Sequence, residues 1–430
     1  MKKKAYAGVP VKQVKVAGLL QGRDGQSVVV GVDVGKRELR TMVRWQDGAL
    51  AQSWKVAYPL ELGVMIERLQ ELGQGRQLVV AMEPTGTYGE PLRQALTDAG
   101  LTVQRISPKA AHDYAEIMDG VPSQHDGKDA AVVAELAAIG KGRAWPFKPP
   151  TEWEAELLYW VDWLDMQQGQ LQRWASRLEG LLACYWPEAT RRLKLPSGTL
   201  LQALAHYGSP QRLAADPKAS LRLHRWSRGQ LAGARLAVVI EEARASVGVR
   251  LGKWSRRQLR LYAKRALAAK AQAARAKRQL RRLASGHAVL EAQGQVVGVP
   301  TACVLWACLG DPRRYDSASA YRKAMGLNLA ERSSGLYQGQ LHISKRGQAL
   351  VRKWLYFAAM RLAQREPVLA WFREKKTRDP RGGRVAVVAV MRKLSLGLHA
   401  LAVTGGPFDA GRLFRSIKLP PLAVTGRRQQ

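Results

Sequence analysis

The sequence predicts an α/β fold in its first third and a mainly helical body behind it, and three patterns carry that reading. Short apolar runs alternate with stretches of helical spacing between residues 27 and 140. From Trp153 to Leu182 apolar residues recur every three and four positions, as in LLYWVDWLDMQQGQLQRWASRLEGLL. A second tract of helical spacing, Leu251–Leu290, contains 12 Lys and Arg and no Asp or Glu.

Ser27–Val34 reads as a buried strand. Leu39–Trp45 and Ala49–Val56 are apolar-rich runs separated by Gln46-Asp47-Gly48, a strong hairpin signal. Leu60–Leu72 has helical spacing, Gln77–Met82 is a short strand, Pro91–Ala99 a helix, Thr102–Ile106 a strand and Asp129–Ile139 a helix. A three-strand meander followed by alternating helix and strand makes a mixed sheet covered by helices. That order matches the RNase H-like architecture.

The expected organisation is a basic flexible arm (1–26), the α/β domain (27–150), a long antiparallel coiled-coil arm with an inserted module (151–290), a helical domain (291–410) and a basic tail (411–430). Trp153, Trp160 and Trp163 recur at helical spacing and are read as core of the coiled coil rather than base-stacking platforms.

Lys and Arg total 69 against 34 Asp and Glu, giving a formal charge of +35 and a pI near 10.6. Such a surplus calls for a polyanionic partner, nucleic acid before membrane. No stretch approaches the ~18 unbroken apolar residues of a spanning helix, and no apolar signal region follows MKKK. Cys184, Cys303 and Cys308 have neither zinc nor disulfide-framework spacing, which suits a reducing cytoplasm.

In so basic a chain, four acids stand out. Asp33 ends the run VVVGVD, Glu83 follows LVVAM, and Asp126 and Asp129 form DGKD ahead of AAVVAELAA. Two-metal phosphoryl chemistry needs three or four carboxylates around Mg²⁺ ions ~4 Å apart, and Mg²⁺ favours oxygen donors. In an RNase H-like sheet the acids of the first strand and a later parallel strand end side by side, and a helix adds more. Residues three apart on a helix, as Asp126 and Asp129 are, share one face. Singly, each acid also suits a strand end or a helix cap. GVDVG further resembles the first phosphate loop of actin-like sugar kinases, but MEPTGTYGE is a poor second loop and the charge suits no soluble sugar kinase.

A second chemical candidate is Ser333-Ser334-Gly335 with Ile343–Gly347, ISKRG. A serine hydroxyl needs a base, a metal or strong electrostatic help to attack. Arg332, Lys345 and Arg346 stand ready to stabilise charge on an attacked phosphate. Lys345-Arg346-Gly347, ahead of a helix, offers backbone N–H groups to a phosphate. On the basic tract, Arg256, Arg257, Arg260 and Lys264 are candidate phosphate contacts.

Together these residues resemble one family: insertion-sequence transposases with a RuvC-like DEDD domain in front and a serine-bearing transposase domain behind, the RNA-guided bridge recombinases and their invertase relatives. The DEDD pattern falls on Asp33, Glu83, Asp126 and Asp129. The C-terminal signature falls on Val297-Gly298-Val299, Tyr315-Asp316-Ser317, Gly326-Leu327, Ser333–Gly335 and Ile343–Gly347, with Val-Gly-Val-Pro where Pro-Gly is usual. The resemblance implies attack on DNA by a serine, carried by position onto Ser334, with Ser333 and Ser344 as lesser candidates, and a phosphoserine intermediate. It further implies a Mg²⁺-bound DEDD site, a structured guide RNA pairing with target and donor DNA, and dimers assembling to a tetramer on DNA. The long insert Trp186–Val249 extends RNA contacts or is passive. Two other readings stand beside this one. A RuvC or RNase H-like nuclease would hydrolyse DNA without a covalent intermediate, and a basic scaffold would hold nucleic acid with purely structural acids.

Overall fold

The computed structural model describes residues 6–120, 125–331, 341–379 and 381–415. The chain divides into two compact units, Met1–Pro149 and Pro150–Gln430.

In the first unit the strands are β1 (Val9–Pro10), β2 (Val28–Val34), β3 (Glu38–Trp45), β4 (Trp54–Ala57), β5 (Leu78–Met82), β6 (Thr102–Arg105) and β7 (Arg143–Ala144). The helices are α1 (Val16–Leu20), α2 (Leu62–Leu72), α3 (Glu90–Asp98), α4 (Pro108–Asp119) and α5 (Asp126–Ala138). Among the described residues they form one seven-stranded sheet in the order β1-β4-β3-β2-β5-β6-β7. The pairs β2–β3 and β3–β4 are antiparallel, whereas β5 lies parallel to both β2 and β6. The mixed sheet expected from the sequence is therefore present. Its hairpin turns at Asp47-Gly48, where Gly48 takes φ +89 and the Asp47 carboxylate accepts from Ala49 N at 2.9 Å.

Two helical layers cover the sheet. Met65, Leu69 and Leu72 of α2 and Leu92 and Leu96 of α3 share one core with Val28, Val30 and Val32. On the other face Val132, Val133 and Leu136 of α5 pack with Ala81, Ile106 and Ala111. Central β2 is buried on both faces, so its sequence is continuously apolar rather than alternating.

Residues 6–26 are not the flexible arm that their charge predicts. β1 pairs in parallel with β4, and Val11, Val14 and Val16 are buried in the sheet's core. The lysines between those valines stay at the surface, where Lys12 pairs with Glu61 at 3.1 Å. Helix α4 was also unanticipated. It opens on Ser107-Pro108 and closes on Gly120 in the left-handed conformation, φ +68, ordinary start and stop signals.

The second unit is built on two long helices, α6 (Glu152–Tyr185) and α12 (Lys253–Ala284), with α7 (Ala189–Arg192), α8 (Gly198–His206), α9 (Pro210–Ala214), α10 (Ala219–Trp226) and α11 (Gly233–Arg244) between them. Thr151 starts α6 with a capping box to Glu154. The long helices run antiparallel. Trp153 donates to Leu283 O at 3.1 Å near one end, and Ser255 donates to the Tyr185 hydroxyl at 3.1 Å near the other. The seam of α12 is mostly alanine, including Ala263, Ala266, Ala269, Ala273 and Ala276. Such small side chains bury little by themselves, and other helices share the seam. Leu200, Leu204 and Leu236 pack with its N-terminal half, and a helical C-terminal core encloses the other half.

That C-terminal part comprises α13 (Ala288–Val297), α14 (Val299–Leu309), α15 (Ala318–Ala324), a short hairpin of β8 (Leu329–Ala330) and β9 (His342–Ile343), α16 (Ala349–Leu362), α17 (Val368–Arg378), α18 (Gly383–Thr404) and α19 (Ala410–Leu413). Helix α18 is long and apolar enough to cross a membrane, but Val390, Leu394 and Leu398 line this core. The expected tail begins later than residue 411, because Phe414 is buried and Lys393 donates to Leu413 O at 2.7 Å. Trp153, Trp160 and Trp163 are partly buried and pack against this C-terminal core, with Trp153 stacked on His287 and edge-on to Trp306.

Gly31 of β2 admits α5 to the sheet. A Cβ there would lie 2.0 Å from Ala130 O and 2.5 Å from Ala134 N. Gly31→Ala is expected to lower stability by about 1–3 kcal/mol, because helix backbone must move. Gly63→Ala, in open space on α2, should leave stability equal or raise it by up to about 1 kcal/mol. Thermal unfolding of the two variants checks the contrast.

Candidate active site

Backbone register brings the first two acids together. Val32 pairs with Met82 in the parallel β2–β5 ladder, so the next step places Asp33 level with Glu83. Across the antiparallel ladder Asp33 faces Arg40, whose guanidinium is engaged by Glu38 at 2.6 Å. The other two acids occupy the first turn of α5, which Gly31 seats on the same strand. His125 caps that helix, its Nδ1 accepting from Lys128 N at 3.2 Å. The far end of α5 is tied by Glu135 to Arg44, with one bond at 3.1 Å.

These acids sense one another. Burial, then the negative charges of Asp129 and Asp126, push the Asp33 carboxyl up to about 6. Glu83 is raised by burial, then by Asp33 and Asp129. Asp129 is raised by burial and by Asp126, against the opposing pull of His125 and Lys128. The N-terminal end of α5 contributes its positive dipole at the same place. Among the described residues no three such side chains close around one point as an ion cage. The donor chemistry nonetheless fits a hard divalent cation: every donor is oxygen, and the crowded negative charge has too few cations nearby to relieve it.

Sequence reasoning missed the packing around this cluster. Tyr6 lies edge-on to His125 with ring centroids 4.9 Å apart, and its carbonyl abuts Gly127, where a Cβ would sit 2.8 Å away. Gly31 itself was a readable signal, since a glycine inside a buried strand marks close approach of another backbone.

The serine segment is only partly described. Arg332, Ser333 and Ser334 lie outside the described residues. Its flanks are fixed: β8 pairs with β9, and Gly347 packs so tightly under Ala324 and Gly326 that a Cβ would lie 2.4 Å from Ala324 O. Arg352 donates to Gly347 O at 2.7 Å and Arg392 to Leu327 O at 3.0 Å. Lys345 has φ +55, a left-handed backbone that a lysine adopts only where its surroundings impose it.

Two expectations change here. Ser344 donates to Asn328 Oδ1 at 2.6 Å and accepts from Arg346 N at 3.3 Å, which makes it a turn-forming residue. The backbone phosphate cradle expected at Lys345-Arg346-Gly347 is absent, because those amides donate to Gly326 O, Ser344 Oγ and Lys345 O. The side chains of Lys345 and Arg346 remain exposed. On α12, Arg257 and Lys264 are exposed, whereas Arg260 donates to Ala205 O at 3.1 Å and packs with Arg256 under Gly208.

Comparison with known proteins finds two matched regions. Residues 30–187 match a transposase family of the DEDD type named for IS110, and residues 292–374 match the transposase family IS116/IS110/IS902. The chain carries both domains of an IS110-family transposase. It is also 23% identical over 351 residues, 80% of this chain and 86% of the relative, to the uncharacterised 43.6 kDa protein of insertion element IS110 from Streptomyces coelicolor. All four acids fall inside the first match, and the serine segment inside the second.

The raised Asp33 gives this transposase a pH signature. Asp33 titrates at about 6 in the fold against an ordinary 3.8, so between those values the folded chain holds the extra proton. Its contribution therefore favours folding below pH 3.8 and is lost as pH rises towards about 6. Melting temperature measured in chelator should show that fall, and Asp33→Asn should flatten it and raise stability at neutral pH.

Proposed function

We propose that this transposase cuts and rejoins DNA strands of a mobile element through a serine ester, with Asp33, Glu83, Asp126 and Asp129 as the metal-assisted part of its active site. The observation that carries the reading is the β2–β5 register that sets Asp33 level with Glu83, with Asp126 and Asp129 in the first turn of the helix seated on β2, in a chain with a C-terminal transposase domain. Acids crowded together in a chain of charge +35 belong where a cation and a phosphodiester meet.

In this reading the four carboxylates hold Mg²⁺. When bound, the ion would polarise phosphate oxygens and stabilise the charge of the leaving oxygen. The Ser334 hydroxyl attacks phosphorus. A Ser Oγ–P bond forms as one strand P–O bond breaks, the serine proton passes to a base, and the departing strand end becomes a hydroxyl. Strand exchange runs the step in reverse, with a new strand hydroxyl displacing the serine. Arg332, Lys345 and Arg346 meet the phosphate oxygens through their side chains. Sequence choice rests with a structured guide RNA pairing with target and donor DNA, so the protein reads backbone and shape. Arg256, Arg257, Arg260 and Lys264 belong to its nucleic-acid track, with Arg257 and Lys264 reaching solvent. The working form is a homo-oligomer on DNA, dimers assembling to a tetramer.

Ser334→Ala is expected to abolish recombination, by on the order of 10⁴-fold or more, together with any protein–DNA adduct that survives denaturing gel electrophoresis. Asp33→Asn and Glu83→Gln should lower recombination similarly. Strand cleavage that persists in the Ser334→Ala variant would replace the serine ester by plain hydrolysis.

A further inference from the structure

One end of the long helix pair presents apolar side chains to water. Trp254, in the first turn of α12, is 68% exposed, and in the loop before it Val247 is 84% and Val249 60% exposed. Apolar groups left in solvent together mark an interaction site when the backbone holding them is rigid. That condition is met. Gly248 lies so close to the end of α6 that a Cβ would sit 2.3 Å from Tyr185 O. Val249 N donates to Cys184 O at 3.0 Å, and Val247 N and Ser246 Oγ donate to the Glu188 carboxylate at 3.1 and 2.7 Å. Ser255 anchors the start of α12 on the Tyr185 hydroxyl.

The charge next to the Trp254 ring is positive. The Lys253 ammonium lies 5.8 Å and the Arg257 guanidinium 5.4 Å from the Trp254 ring centroid. Arg250 is exposed three residues before Lys253, and from Ala243 through Leu290 the sequence has no Asp or Glu. A flat aromatic face among cations, with the nearby Glu188 carboxylate already engaged by Val247 N and Ser246 Oγ, matches a ligand that is both planar and polyanionic. Duplex nucleic acid hides its base faces, so an exposed indole gains contact only with unpaired nucleotides.

We propose that Trp254 is a stacking platform for an unpaired nucleotide of single-stranded nucleic acid, whose flanking phosphates meet Arg250, Lys253 and Arg257. This rests on the transposase reading, and it adds a contact remote in sequence from both the carboxylates and the serine segment. Val247 and Val249 are exposed at the same end of the helix pair.

The test uses the full-length protein and fluorescence anisotropy with three probes of equal phosphate number: oligouridylate, oligothymidylate and a blunt DNA duplex. Trp254→Ala should weaken both single strands about ten-fold, leave the duplex within about two-fold, and keep the salt dependence unchanged. Trp254→Tyr should recover most of the loss. Arg257→Ala should instead lower the slope of log affinity against log salt by about one. Tighter binding of oligouridylate assigns the platform to RNA, and tighter binding of oligothymidylate to a DNA strand. An equal loss on duplex and single strand, or no loss on single strand, overturns the stacking role. So does a Trp254→Ala defect confined to phosphatidylglycerol vesicles. Failure of the unaltered protein to bind any of the three nucleic acids would remove the transposase reading beneath it.

Discussion

The side chain missing at Gly31 sets the geometry of the first unit. Helix α5 lies on β2 with its own backbone where a Cβ would otherwise be. That contact fixes the height of the helix over the sheet and the direction of its first turn. Asp33 follows two residues later on the same strand, and the β2–β5 register supplies Glu83 alongside. The bare strand position thus brings the first turn of α5, with Asp126 and Asp129, to the strand that carries Asp33. Their gathering opposes folding, since burial and like charge raise Asp33, Glu83 and Asp129 together. The apolar contacts of α5 with Ala81 and Ile106, and its tie from Glu135 to Arg44, hold the acids in place against that repulsion. A site of this kind trades stability for a readiness to take up a cation.

The second unit solves a different problem. Helices of 34 and 32 residues would be poorly buried as an isolated pair with an alanine seam. Here the pair connects two helical cores, one formed with the inserted module and the other with the C-terminal helices. The inserted module is therefore packing as well as length. Ala205 O of its helix α8 accepts from Arg260, and Pro196 O, ahead of that helix, accepts from Lys270.

Much of this was legible in the chain. The meander, the Asp-Gly turn and the long helices follow from apolar period and turn chemistry, and Asp33, Glu83, Asp126 and Asp129 stood out because acids are scarce. What escaped depends on distant partners. Residues 6–26 look like a charged arm until β4 offers an edge to Val9 and Pro10. The amides of Lys345-Arg346-Gly347 look free until Gly326 and Ser344 are seen to accept from the first two. Arg256 and Arg260 read as phosphate contacts, yet the turn at Gly208 rests on their aliphatic stems. Local sequence states what a residue can do, and only the fold shows whether another group already uses it.

Helix α12 can also be viewed as a polyelectrolyte. Its 12 cations sit on one rod with no anion among them, and crowding by neighbouring positive charges, after burial, holds the Lys270 and Lys277 amines below their ordinary range. Mobile ions screen such repulsion over about 8 Å at physiological strength. The same ions compete for the phosphates of any bound strand. Rising salt therefore steadies the empty protein while it loosens the filled one. Glu156 pairs with Arg282 at one end, and a nucleic acid laid along the helix, as proposed, would supply counter-charge for the rest.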